Sequence, residues 1–221
     1  MRPAIGCAPG MRSLPRWGLW VLLSSGCASA PSPPADPGPE VAAYAPLEAG
    51  SFWTYAVRFP GQTGERTVRL VGVDEDGWWV DDAGGAFRIS RAGLRDRERV
   101  LIRAPLEVGR TWKAVLSPRA VEHYRLASIG EACTARAGRF EDCLVVRSRL
   151  RRDEQVSLEV TFTWARDVGL VKVETAALID GRSVPQTEQS LIRYRIGEGR
   201  ANPQAPAPAD EGPEGPDTWN R

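Results

Sequence analysis

From residue 52 to residue 196 apolar and polar positions alternate with a period of two, in runs broken by short turn signals. That period puts successive side chains on opposite faces, so each run predicts a strand with one face toward a core. Trp53, Tyr55, Val57 and Phe59 alternate with Thr54, Ala56 and Arg58, and the run stops at Phe59-Pro60-Gly61. A second strand is predicted over 67–73, and the turn Asp74-Glu75-Asp76-Gly77 returns it into Trp78-Trp79-Val80. Another turn over 81–85 leads into strands at 86–90 and 99–103, while 91–98 is too dense in charge to place. Consecutive Trp78 and Trp79 cannot both point inward in a regular strand, so one is expected outside, at a cavity mouth or over an edge.

The runs 144–151 and 156–164 fix their own register. Leu144, Val146, Ser148 and Leu150 share one face of the first; Leu158, Val160, Phe162 and Trp164 share one face of the second. Antiparallel pairing with position numbers summing to 308 sets Leu150 against Leu158, Ser148 against Val160, Val146 against Phe162 and Leu144 against Trp164. Arg149 then faces Glu159 on the other side. A slip of one residue would turn the arginines against the apolar row. The remaining loop, Asp153-Glu154-Gln155, has an accepted hairpin length but lacks the glycine such loops favour.

The chain continues through Arg166-Asp167-Val168-Gly169 into a strand over 170–179, turns at Asp180-Gly181 and closes with 187–196. No window predicts a helix longer than two turns. The fold class is therefore all-β: a single antiparallel meander of nine to eleven strands, rolled on its apolar face into a barrel or half-barrel.

The segment Leu19-Trp20-Val21-Leu22-Leu23-Ser24-Ser25-Gly26-Cys27 follows Arg12 and Arg16 and ends at a small-residue junction. A basic region, a short apolar core and a small-residue cleavage site describe a secretory leader, too short to span a bilayer. Met11 already opens a complete leader, so Met1 is expected to be a mis-assigned start and Cys7 to have no structural role. The expected organisation is a signal peptide over 1–26, a proline-rich tether over 27–43, an all-β domain over 44–197 and a disordered tail over 198–221. Pro31, Pro33, Pro34, Pro37 and Pro39 suit a semi-rigid spacer of ~3.1 Å per residue. Hydrophobic residues at 42% and charged at 26% are ordinary for a packed domain. Lys+Arg 29 against Asp+Glu 28 lacks the basic excess that nucleic-acid binding requires.

Ser-Gly-Cys at the end of the leader resembles the lipobox of bacterial lipoproteins, although Ser24 stands where that pattern has Leu. The resemblance implies that Cys27 is acylated, that the membrane is reached through a lipid anchor, and that the protein sits in the cell envelope. Ala28 in place of Asp implies the outer membrane, facing the periplasm. In an oxidising envelope Cys133 and Cys143 read as a disulfide, the alternative being two buried thiols.

Ala-Pro-Leu-Glu-x-Gly-x-x-Trp occurs twice, from Ala45 to Trp53 and from Ala104 to Trp112, offset by 59 residues. It reads as one corner used twice, with Gly in the turn and Trp starting an inward row. These corners, Ala137-Gly138-Arg139-Phe140-Glu141-Asp142-Cys143 and Val168-Gly169-Leu170-Val171-Lys172 together resemble a largely uncharacterised family of small all-β domains in bacterial secreted proteins and lipoproteins. That resemblance implies a curved antiparallel sheet and no catalytic site.

Candidate chemistry is sparse. His123 is the single histidine, and an enzyme would need it to converge with acidic residues in a cleft. No metal-ligand spacing, nucleophile elbow or phosphate loop is present, so no metal, cofactor or enzymatic activity is expected. Arg147, Arg149, Arg151 and Arg152, with Arg193 and Arg195, could face an anion such as a lipid headgroup or acidic glycan; Glu159, Glu174 and Glu188 are placed to neutralise them as a charged outer face. The expected function is a non-catalytic structural or protein-interaction module of the envelope, with its own tryptophans filling the barrel. The alternative is a carrier or sensor holding a lipid or other apolar ligand in the concave face of the sheet. A continuous apolar cavity between the sheet faces would decide against the filled barrel.

Overall fold

The computed structural model describes residues 39–198 and 200–201. The leader, Cys27, most of the expected tether and the tail beyond 201 lie outside the described residues. A single-turn helix α1 (Pro39–Ala42) precedes β1 (Phe52–Phe59), β2 (Gln62–Val73), β3 (Trp79–Asp81), β4 (Ala86–Ser90), β5 (Gly93–Arg95) and β6 (Val100–Arg103). There follow β7 (Thr111–Ser117), β8 (Ala120–Ala135), β9 (Gly138–Arg151), β10 (Val156–Ala165), β11 (Gly169–Ile179), β12 (Arg182–Ile196) and β13 (Arg200–Ala201). No helix among the described residues is long and apolar enough to cross a membrane.

The strands form the expected antiparallel meander, and β12 returns to pair with β1. Each strand from β1 to β12 pairs with its neighbour in sequence except β6 and β7, which are the two free edges. The result is a nearly closed up-and-down barrel with one seam. Side chains bridge it: the Trp112 indole donates to the Val100 carbonyl at 2.7 Å and Arg110 donates to the Ala104 carbonyl at 2.8 Å.

The hairpin register matches the alternation residue for residue, from Leu150 against Leu158 to Leu144 against Trp164, and Arg149 meets Glu159 at 2.9 Å. Asp153 supplies what the missing glycine would have: its carboxylate accepts from the backbone N–H of Gln155 at 2.8 Å and Val156 at 2.7 Å. A side-chain acceptor of this kind stabilises a tight turn without left-handed backbone.

The duplicated corners have the same hydrogen bonds. The Gly50 N–H donates to the Leu70 carbonyl, the Leu70 N–H to Ser51 and the Ser51 N–H to Glu48. In the second copy Gly109 donates to Leu126, Leu126 to Arg110 and Arg110 to Glu107. Both glycines have positive φ, 77° and 90°, where a Cβ would be strained. Both partner leucines are buried, so each corner clamps a new strand to its neighbour's core side chain.

Val41 and Tyr44 are fully buried and pack into the barrel's core. The chain is strapped there by Asp167, whose N–H donates to the Ala43 carbonyl at 2.6 Å, and by the Tyr44 hydroxyl, which donates to Asp142 at 2.6 Å. Arg166 completes the network: it donates to Asp142 and lies 4.9 Å over the Tyr44 ring. Beyond residue 197 the short β13 pairs with β12.

A bulge in β12 lets the far end of the β8–β9 hairpin dock. Thr54 pairs with Arg193 and Tyr55 with Leu191, leaving Ile192 extra. Beside it the Ser190 hydroxyl accepts from the Arg136 N–H at 3.0 Å, and the Leu191 carbonyl accepts from the Ala137 N–H at 2.6 Å. A Cys133–Cys143 disulfide staples the docked end.

Candidate functional site: a cavity between two core clusters

The core is divided. One cluster gathers Val41, Tyr44, Leu94, Leu101, Trp112, Tyr124, Leu126 and Trp164; the other gathers Trp53, Tyr55, Leu70, Val171, Leu191 and Ile196, and Leu47 packs against both. Between them lies a cavity of about 510 Å³. Buried Trp53, Tyr55, Leu94 and Trp164 form its floor, and half-buried Phe87, Phe162 and Leu170 rise from it toward a polar rim with Arg66, Asp96 and Arg99.

The floor is apolar because its polar tips are used elsewhere. The Trp53 indole donates to the Val168 carbonyl at 2.6 Å and the Tyr55 hydroxyl to the Leu170 carbonyl at 2.9 Å. Burial pushes the Tyr55 hydroxyl far above its ordinary pKa, so it stays neutral. Phe162 and Trp164 stack with centroids 5.5 Å apart, presenting a flat aromatic wall. The motif Val168-Gly169-Leu170 therefore acts as backbone acceptor for both aromatic residues. Gly169 has φ of 100° and lies so close to Trp53 that a Cβ would come within 3.3 Å of the indole nitrogen.

One inward carboxylate is buried at the seam. Glu122 accepts from the Tyr124 hydroxyl at 2.6 Å and from Arg99 at 3.3 Å, and Arg99 also donates to Asp96 at 2.9 Å. Burial, then the bond to Glu122, pushes the Tyr124 hydroxyl up. Burial works against the Arg99 charge, but the hydrogen bond to Asp96 and the surrounding groups raise its pKa overall. The network holds its own charges and links the turn before β6 to β8.

His123 is exposed on the outer face, opposite in direction to Glu122, between Lys113 and Arg149 in the strand register. No group of three His, Cys, Asp or Glu side chains among the described residues is arranged to hold a metal. Of the two consecutive tryptophans, Trp79 packs against the second cluster. Trp78 is covered by Arg88, Arg95 and Arg97, whose guanidinium carbons lie 4.4, 5.4 and 5.2 Å from its ring centroid.

The outer arginines separate into two groups. Arg149 pairs with Glu159, while Glu174 pairs with Lys172 and Glu188 with Arg58. Arg193 donates to Thr54, and Arg195 lies over Phe52. Arg147 has no carboxylate partner among the described residues, because Glu174 and Glu188 face β11, β12 and β1 instead. The sequence places the row correctly, but it does not show which carboxylate reaches which strand.

The fold and the cavity define a nearly closed up-and-down β-barrel with a largely apolar cavity that opens to solvent. No family model matches the chain, and no curated protein matches it. A solved structure of a protein from Parabacteroides distasonis, described provisionally as a lipoprotein, is similar at 12% identity with a TM-score of 0.38. The similarity covers 67% of this chain and 96% of that one; at this distance it carries no argument about role.

Proposed function

We propose that this protein is a non-catalytic envelope lipoprotein, anchored through an acylated Cys27, whose barrel carries or senses a lipid or other apolar ligand. The observation that supports ligand binding over a barrel packed solid is the cavity between the two core clusters. Its 510 Å³ lies within the ~300–1,000 Å³ of ordinary small-molecule sites, and its lining is largely aromatic and aliphatic, with Arg66, Asp81, Asp96, Arg99 and Gln189 as the polar side chains. The lipobox-like junction at Cys27 and the proline-rich residues after it support the anchor, and Ala28 favours the outer membrane, periplasmic side.

Native mass spectrometry of the protein purified from an envelope fraction tests both halves. A diacyl or triacyl mass on Cys27 supports the anchor. A second mass released by organic solvent supports the chamber, and a dibrominated stearate should then quench the Trp53 and Trp164 fluorescence. A protein with no extractable mass and no quenching would return the reading to an interaction module whose barrel holds no ligand.

A further inference from the structure

We propose that the acidic segment 210–217 of this chain docks in a basic groove on the outer face of β7, β8 and β9. The groove has a volume of about 900 Å³ and is lined by Lys113, His123, Arg125, Arg147, Arg149 and Glu159. Strand register sets Lys113 against His123, His123 against Arg149, and Arg125 directly against Arg147. Like charges directly opposed across a ladder destabilise it, so this grid calls for an anion. The groove's one carboxylate, Glu159, is engaged by Arg149 at 2.9 Å. Lys113, Arg125 and Arg147 are exposed and form none of the ion pairs among the described residues.

The chain itself supplies the complement. Beyond Ala201 the sequence holds Asp210, Glu211, Glu214 and Asp217 against Arg221 alone. The described residues end in β13, on β12, four ladder steps from β8. At ~4.8 Å per strand that is ~20 Å across the sheet, and the register sets Arg195 level with Asp142, about six residues or ~20 Å along β9 from Arg147. The path is therefore ~30 Å, and the ten to sixteen residues from 201 to 211–217 reach ~33–53 Å when extended. The arginines nearer the tail's start are already occupied, Arg193 by Thr54 and Arg195 by the Phe52 ring. A groove also suits an extended chain better than it suits a flat membrane surface.

The sequence contains two lysines, Lys113 and Lys172, so zero-length carbodiimide coupling of the full chain reads this contact directly. Lys172, which pairs with Glu174 at 2.8 Å, is the internal standard. Peptide mapping should find Lys113 joined to Asp210, Glu211, Glu214 or Asp217, within one chain when light and heavy isotopic forms are mixed. The yield should fall at least ~3-fold between ~0.1 M and ~1 M salt, as the screening length shrinks from ~10 to ~3 Å. It should fall likewise in the exposed double variant R125Q/R147Q, with the Lys172–Glu174 product unchanged. The proposal is overturned if the standard forms without any Lys113–tail product, if that product joins two chains, or if R125Q/R147Q leaves it unchanged. Binding to phosphatidylglycerol vesicles through the same arginines, with no Lys113–tail product, would assign the groove to a lipid surface and overturn it as well.

Discussion

Replacing Tyr44 with Phe removes one hydroxyl from the site that straps residues 43 and 44 to the barrel. That hydroxyl is buried; it donates to Asp142 at 2.6 Å and accepts from Arg166 at 3.3 Å. A hydrogen bond to a charged group contributes ~1.5–3 kcal/mol, and the Asp142 side chain is 33% exposed, which favours the lower end. Tyr44→Phe should therefore destabilise the domain by about 1.5 kcal/mol near neutral pH, measured by urea unfolding followed through tryptophan fluorescence. The Tyr44 bond, aided by Arg166, holds the Asp142 carboxyl below the ordinary carboxylate value. A depressed carboxylate stabilises above its unfolded value of about 3.9 and loses that contribution as pH falls through the folded value. The gap between the wild type and Tyr44→Phe should thus narrow in acid. In alkali the gap narrows again, from the other partner: burial, then the Asp142 bond, raises Tyr44 to about 12. Its contribution is complete below the unfolded value of about 10 and disappears as pH rises toward 12, so Tyr44→Phe should lose less stability there than the wild type. A penalty under ~0.3 kcal/mol at neutral pH, or one independent of pH, would refute the account of this network.

Three further outcomes follow from the packing. Trp112→Phe removes the indole that crosses the seam and should cost about 1 kcal/mol, with faster amide exchange concentrated in β6 and β7; uniform exchange would count against a side-chain-closed seam. Ser148 is buried with its hydroxyl unpartnered among the described residues, so Ser148→Ala should be neutral or stabilising by up to ~1 kcal/mol in the same unfolding assay, and a clear loss would mean that the hydroxyl has a partner. Reducing the Cys133–Cys143 bond, which closes a separation of ten residues, should cost ~2–3 kcal/mol; an unchanged unfolding midpoint in reductant would show that docking on β12 suffices without the staple.

Alternation made the β9–β10 register legible because one wrong step would have buried Arg147 and Arg149. The repeated corners were legible for a similar reason: glycine and tryptophan at fixed spacing leave few conformations open. The 91–98 segment resisted because its arginines serve an outward tryptophan; β5 forms inside it, with Arg95 and Arg97 over Trp78. Val41 falls in the proline-rich stretch and Tyr44 at its edge, and only contacts to Asp142 and Arg166, 98 and 122 positions away, strap Tyr44 into the core. The cavity was hidden for the same physical reason. It depends on how side chains from β1, β4, β10 and β11 meet across the barrel, and no local pattern records that distance.

The seam between β6 and β7 also determines where the polypeptide can be cut. Because β1 and β12 are ladder neighbours, the ends of the barrel's chain already lie together, and the Gly197 N–H donates to the Ser51 hydroxyl at 2.9 Å. A circular permutant that joins those ends and opens the 104–110 connection would keep every strand pairing intact. The order of the strands around the barrel is thus independent of where the chain begins. Translation could start at β7 and finish at β6, with the duplicated tryptophan corner of β7 leading the barrel in place of the corner before β1.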